Sequence, residues 1–145
     1  MRILDNPKFA LRILQLYVGV AFFLHGLQKI FSWGWLQNPD MMTAIIRSGL
    51  PKVSPMFYRN FLIHVVLAHP LFWSRWISFS ETAVGLGLLA GILPKIASLG
   101  GMLMMLSYWL MKGAPLDFVG LDQAYFFIFL ICLLSAESWF VIRRK

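Results

Sequence analysis

The sequence predicts an all-α, integral-membrane four-helix bundle with an interfacial helix between spans 1 and 2. Three observations lead there. Of the 145 residues, 59% are hydrophobic and only 13% charged, where a soluble domain carries about 25% charged residues, and the mean hydropathy is +0.73. Residues 9–31 form an apolar run longer than the roughly 20 residues that a helical crossing needs. Three further apolar runs follow, separated by breaks that carry proline or glycine. The length suits one membrane domain of about four spans, so residues 1–145 are read as a single domain.

The formal charge is +7, from 13 Lys and Arg against 6 Asp and Glu. In a soluble protein such a balance points toward nucleic acid. Here the basic residues gather at helix ends and in connecting segments, where they meet anionic head groups. The expected partners are therefore membrane lipids and other membrane protein subunits, with no nucleic acid. The single cysteine, Cys132, lies inside an apolar run, where a thiol packs as a small apolar group.

The first span, 9–31, is not a plain lipid-facing rod. Arg12, Gln15, Gly19, Phe22, Gly26 and Lys29 recur at steps of three and four, which places them on one helical stripe. His25 stands beside it. A polar stripe in lipid has to face protein or a water-filled cavity, so this helix is expected to pack its marked face against partners. The run is too long for a signal h-region and no small-x-small cleavage site follows, so it is expected to stay in the mature chain.

Residues 32–56 are a break with Gly34, Pro39, Gly49, Pro51 and Pro55, and with Trp33 and Trp35, a residue type favoured at the membrane–water interface. Met41 to Ser48 reads as a short surface helix. Residues 57–72 hold only half a crossing of uninterrupted apolar sequence, Phe61 to Ala68, and read as an interfacial or re-entrant helix ended by His69 and Pro70. The remaining spans are expected at 76–93, 96–111 and 125–142, with a tight turn at Pro94 and Lys95. Four spans put both termini on one side. Arg143, Arg144 and Lys145 make the terminal side densely basic, while Asp40, Asp117 and Asp122 fall on the other side. Both termini are expected in the cytoplasm.

Glu81 is the one acid well inside an expected span, and an ionisable group at such depth marks a candidate functional site. Ser74, Ser78, Glu81 and Gly85 share one helical face, and Gly87 with Gly91 forms a small-xxx-small pair that permits close helix approach. If span 1 centres near Val20, His25 lies about 7 Å and Lys29 about 13 Å beyond the midplane. If span 2 centres near Val84, Glu81 lies about 5 Å from the midplane on the same side. Glu81 is therefore expected to meet His25 or Lys29. Arg12, His25, Lys29 and Glu81 are the candidate intramembrane polar set, and Gly19, Gly26, Gly85, Gly87 and Gly91 the candidate packing set. Two roles suit the pair: a structural one that fixes helix register, and a proton or quinone site. Arg12 and Lys29, near helix ends, also suit snorkelling to head groups.

No metal site is expected. His64 and His69 are five residues apart and share no helix face, and Met102, Met104 and Met105 suit packing better than copper. Haem is disfavoured because only His25 lies in a clear span. No phosphate loop, nucleophile elbow or zinc spacing is present.

Arg12, Gly19, Phe22, Gly26 and Lys29 in the first span, with Glu81 followed by Gly85, Gly87, Gly91, Pro94 and Lys95, make the sequence similar to the DoxX family. That family comprises four-helix membrane proteins, among them the DoxX and DoxD subunits linked to thiosulfate:quinone oxidoreductase. The likeness covers about 9–110 and fades in the last span, where Ser135 to Trp139 replaces the family's usual close. The resemblance implies a bacterial or archaeal cytoplasmic membrane and a small subunit of a larger respiratory or photosynthetic redox complex, structural or quinone-proximal, with a quinone or lipid nearby. It also admits a catalytic subunit of the thiosulfate:quinone type, or a stand-alone membrane transporter or factor.

Overall fold

The computed structural model describes residues 7–53, 55–113 and 121–135, and every regular element among them is helical. Helix α1 is Pro7–Phe31, α2 is Asp40–Gly49, α3 is Met56–Phe61, α4 is Pro70–Ala90, α5 is Pro94–Met111 and α6 is Leu121–Ser135. A single 3-10 turn, Leu50–Lys52, follows α2, and a π turn, Leu62–Val66, prolongs α3. Along their length α1 packs on α4, α4 on α5, α5 on α6, and α6 returns to α1. The short helices α2 and α3 close one end of this ring of four.

Proline sets two of the boundaries. Pro70 and Pro94 each stand in the first turn of a helix, where the missing N–H has no intrahelical partner to lose and the fixed φ is already helical. Helix α4 therefore starts at Pro70, six residues before the expected start of the second span, and ends at Ala90 rather than residue 93. The turn falls earlier than expected too. Gly91 at φ +64° and Leu93 at φ +50° reverse the chain, and Pro94 then opens α5 instead of making the turn. Gly91 is thus a left-handed helix terminator. Segment 57–72 is one helical turn and a half, a π turn and the beginning of α4, with Leu62 and Val66 buried. Helix α6 begins at Leu121, and the expected continuation over 136–142 lies outside the described residues, as do Arg143, Arg144 and Lys145.

Two apolar clusters hold the molecule together. Val18, Phe22, Val84, Leu88, Met105 and Phe129 fill the space between the four long helices. Trp35, Met42, Ile46, Val53, Leu62 and Val66, with Tyr58 of α3 and Trp73 and Ile77 of α4 packed against them, join α2, α3 and the start of α4 under the closed end. Phe129 has room because position 101 is glycine. A Cβ there would fall within 2.7 Å of the ring.

Polarity is distributed inside-out. Gln15, Ser74, Ser78, Ser98 and Gln123 are buried, while Tyr17, Leu24, Phe79, Ile96 and Leu103 are more than half exposed. The buried hydroxyls are largely absorbed by backbone. Ser78 donates to Ser74 O at 2.8 Å and Thr82 to Ser78 O at 2.9 Å. Across elements, Gln15 Nε2 donates to Leu88 O at 2.8 Å and Ser74 Oγ to Trp35 O at 2.7 Å. An apolar outside over a polar inside matches a hydrocarbon surround, because lipid satisfies no hydrogen bond. By length and composition alone, Lys8–Phe31 is the one helix among the described residues that is long and apolar enough to cross a membrane.

Candidate functional site

The close approach of α1 and α4 builds the site. At Gly85 a Cβ would lie 2.6 Å from Phe23 Cα and 2.8 Å from Gly19 O, so two backbones touch there. At Gly26 a Cβ would lie 2.6 Å from Thr82 N. The stripe on α1 thus faces α4 as expected, with one change of partner. Gly19 meets Gly85, whereas Gly26 meets Thr82. Gly87 faces away from α1 and packs on Ala97 of α5, 3.0 Å from where its Cβ would stand.

Thr82 standing level with Gly26 fixes the height of Glu81. Gly26 is six residues past Val20, so the pair sits about 9 Å from the midplane expected at Val20. Glu81 thus lies nearer the end of α1 than the 5 Å expected from centring the second span on Val84. The early start of α4 accounts for the shift, since the first turns of that helix overhang α1 and pack under α2 and α3.

At that height Lys29 Nζ lies 2.5 Å from Glu81 Oε1, with both side chains almost wholly buried. Tyr108, from the last turn of α5, donates its hydroxyl to the same Oε1 at 2.6 Å. Lys29 Nζ also donates to Tyr108 Oη at 3.1 Å. The ammonium rests over the Trp35 ring, 4.9 Å from its centroid, and over the Tyr108 ring at 5.2 Å. Charge, hydrogen bonds and ring quadrupoles therefore all act on one lysine. Glu81 Oε2 and Trp35 Nε1 are buried with no hydrogen-bond partner among the described residues.

These groups line a cavity of about 570 Å³, whose walls are otherwise mostly apolar, aromatic and thioether side chains such as Trp73, Met104 and Met105 together with aliphatic ones such as Leu62 and Ile77. At its rim Lys112 pairs with Asp122, bridging α5 and α6. Tyr58 of α3 donates to Ser107 O at 3.0 Å. Burial raises the Tyr58 hydroxyl above the ordinary phenol range, so it stays a neutral donor.

Of the expected polar set, the structure joins Lys29 and Glu81. His25 also lines the cavity, but on an exposed face of α1. Arg12 keeps its place on the stripe, half-buried, at the opposite end of α1, roughly 25 Å from Lys29 along the axis. Tyr108 and Trp35 belong to the site and are missing from the expected set. Among the described residues, no three His, Cys, Asp or Glu side chains are grouped as a metal site.

Tyr108→Phe is expected to cost roughly 1.5 kcal/mol or somewhat more, as for a hydrogen bond to a charged group. The shift of the thermal unfolding midpoint in detergent checks this, and an unchanged midpoint would mean that the hydroxyl is not engaged.

Among the described residues every regular element is helical, the exterior is apolar and an ion pair is buried between helices, features that fit a helical membrane protein. More narrowly, the chain belongs to the DoxX family, whose model matches residues 10–113, well over half of it. The matched segment contains Arg12, His25, Lys29, Glu81 and Tyr108. Comparison with curated proteins and with solved structures gives no match.

Proposed function

We propose that this chain is a small four-span membrane subunit of a redox complex, and that the cavity beside Lys29 and Glu81 receives a quinone head group. The observation that carries the reading is the cavity itself. Its volume of about 570 Å³ is that of an ordinary small-molecule site, and it has the make-up of one, apolar walls with a few convergent polar groups. A planar ring can lie among Trp35, Trp73 and Met105 while its oxygen meets the polar end.

In this reading α1, α4, α5 and α6 are the spans. Helices α1 and α4, of 25 and 21 residues, reach about 37 and 31 Å, enough for a hydrocarbon core of roughly 30 Å, and α5, of 18 residues, reaches about 27 Å, inside the roughly 17–25 residues of a helical crossing. Helices α2 and α3 form an interfacial cap, with Trp33, Phe72 and Trp76 exposed around it, the placement that suits aromatic belts. The termini share the other side, assigned to the cytoplasm of a bacterial or archaeal cell. The ion pair holds α1, α4 and α5 in register and orients what enters the cavity.

Two experiments test this. Single cysteines in place of Phe57 and Phe72, both exposed, are expected to label from the same side with an impermeant reagent. Labelling from opposite sides would make segment 57–72 a span and overturn the four-span topology. Purification from native membranes in mild detergent is expected to bring down redox subunits together with a quinone. A chain that purifies alone, with no quinone and no redox partner, would overturn the proposed function.

A further inference from the structure

Among the described residues, three of the four seams between neighbouring long helices are joined by close contacts at the level of the cavity. Between α1 and α4, a Cβ at Gly26 would lie 2.6 Å from Thr82 N. Between α1 and α6, the Phe22 ring stands edge-on to Tyr125 at 6.1 Å and to Phe129 at 4.7 Å. Between α5 and α6, Lys112 pairs with Asp122.

The α4–α5 seam differs. Its close contacts lie toward the connecting turn, where a Cβ at Gly87 would meet Ala97 Cβ at 3.0 Å and one at Gly100 would meet Val84 Cγ2 at 3.2 Å. The same antiparallel register, carried on in steps of three, sets Leu103 across from Glu81. There the side chains that line the cavity also reach the outer surface. Leu103 is 53% and Trp76 58% exposed, and both line the cavity. A side chain that does both stands at a mouth. Ser80 and Ser107, one helical turn from each, line the cavity half-buried. Helix α3 closes the seam at its other end, where Tyr58 donates to Ser107 O at 3.0 Å and the Phe61 ring stands edge-on to Trp73 at 5.6 Å. What remains is a window between the Val84–Gly100 contact and α3. From Gly100 to Ser107 it is about 10 Å long. In the four-span reading, the height of Glu81 and Leu103 lies inside the hydrocarbon.

We propose that the cavity is loaded from the bilayer through this window, and that its ligand is a lipid-soluble compound whose apolar tail stays between Trp76 and Leu103 while its head lies inside. This rests on the reading of the cavity as a quinone site and deepens it by naming the tail and its route. The opposite rim carries Lys112 and Asp122, with His25 on the α1 wall. An apolar tail laid among those groups would strip their hydration. Led out between an indole and a leucine, it passes from one apolar surround into another and desolvates no charge.

The test uses the full chain in lipid nanodiscs. The probe is a decyl-substituted benzoquinone with a diazirine on the tail near its ring end. Irradiation and mass spectrometry are expected to place the label at Trp76 and Leu103, and excess unlabelled decyl-benzoquinone is expected to suppress it. Leu103→Trp narrows the window. It is expected to weaken the decyl-benzoquinone about tenfold, as for a group forced into occupied space, and to leave the same ring without a tail nearly unchanged. Both are read by competition against a ring-borne photolabel. Leu99→Trp, at an exposed position outside the cavity wall, is expected to change neither, and circular dichroism checks that the helices persist. Tail label at His25 or Leu121, or equal weakening of tailed and tailless rings by Leu103→Trp, would overturn the window and leave the quinone site standing. Absence of any competed ring label in the cavity would overturn the quinone site and the window with it.

Discussion

Lys29→Met is expected to lower the unfolding free energy by about 3–5 kcal/mol, the range for breaking one side of a buried ion pair. Glu81 is 3% exposed, and without the ammonium it keeps only the Tyr108 hydroxyl on Oε1 and nothing among the described residues on Oε2. The penalty comes from the charge left behind more than from the attraction lost. Two companions separate these contributions. Glu81→Gln is expected to cost less than Lys29→Met, because the amide still hydrogen-bonds with Lys29 and Tyr108. The double replacement, Lys29→Met with Glu81→Gln, is expected to recover part of the loss, since it leaves no lone charge. Reversible unfolding in mixed micelles measures all three. If Lys29→Met and Glu81→Gln proved equally mild and strictly additive, the two side chains would not be coupled.

Gly85→Leu is expected to cost about 3 kcal/mol or more, at or beyond the upper end for overpacking. The atoms a side chain would strike are Phe23 Cα and Gly19 O, which are backbone. Neither can rotate away, so α1 and α4 have to move apart, and the Lys29–Glu81 contact opens with them. Gly100→Ala is the control. Its nearest neighbour is the Val84 Cγ2 methyl at 3.2 Å, and alanine favours a helix interior over glycine by up to about 1 kcal/mol. It is expected to be neutral or slightly stabilising. A Gly85→Leu protein as stable as Gly100→Ala would mean that α1 and α4 do not touch at these glycines.

Much of the α1–α4 interface is legible in the sequence, for a physical reason. Polar and glycine residues that recur at helical spacing in an apolar helix mark its protein side, so the stripe from Gln15 to Lys29 reads directly as a buried face. Helix rise then brings Glu81 toward Lys29. The exact height is not legible, because it depends on where α4 begins. Pro70 suits the end of one segment and the start of another equally well, and only packing under α2 and α3 decides that it starts a helix. Gly91 reads as a packing glycine by spacing, while its backbone torsion makes it a terminator. His25 is near Glu81 in height but lies off the stripe, and the stripe is the better guide to pairing than depth. Tyr108 and Trp35 stay hidden for a different reason. Both types are at home at the membrane interface, so nothing local marks them as site residues. The signal that finds Tyr108 is its position in the last turn of a helix ending at the same level as Lys29.

Photolabelling tests whether a quinone ring sits in the cavity beside Lys29 and Glu81, as proposed. A quinone carrying a photoreactive group on its ring, irradiated with the intact chain in nanodiscs and mapped by mass spectrometry, is expected to label cavity residues such as Trp35, Trp73 and Met105, and excess unlabelled quinone is expected to suppress that label. Label confined to the outer face of α1, at residues such as Tyr17 and Leu24, and insensitive to competition, would rule out a quinone in the cavity.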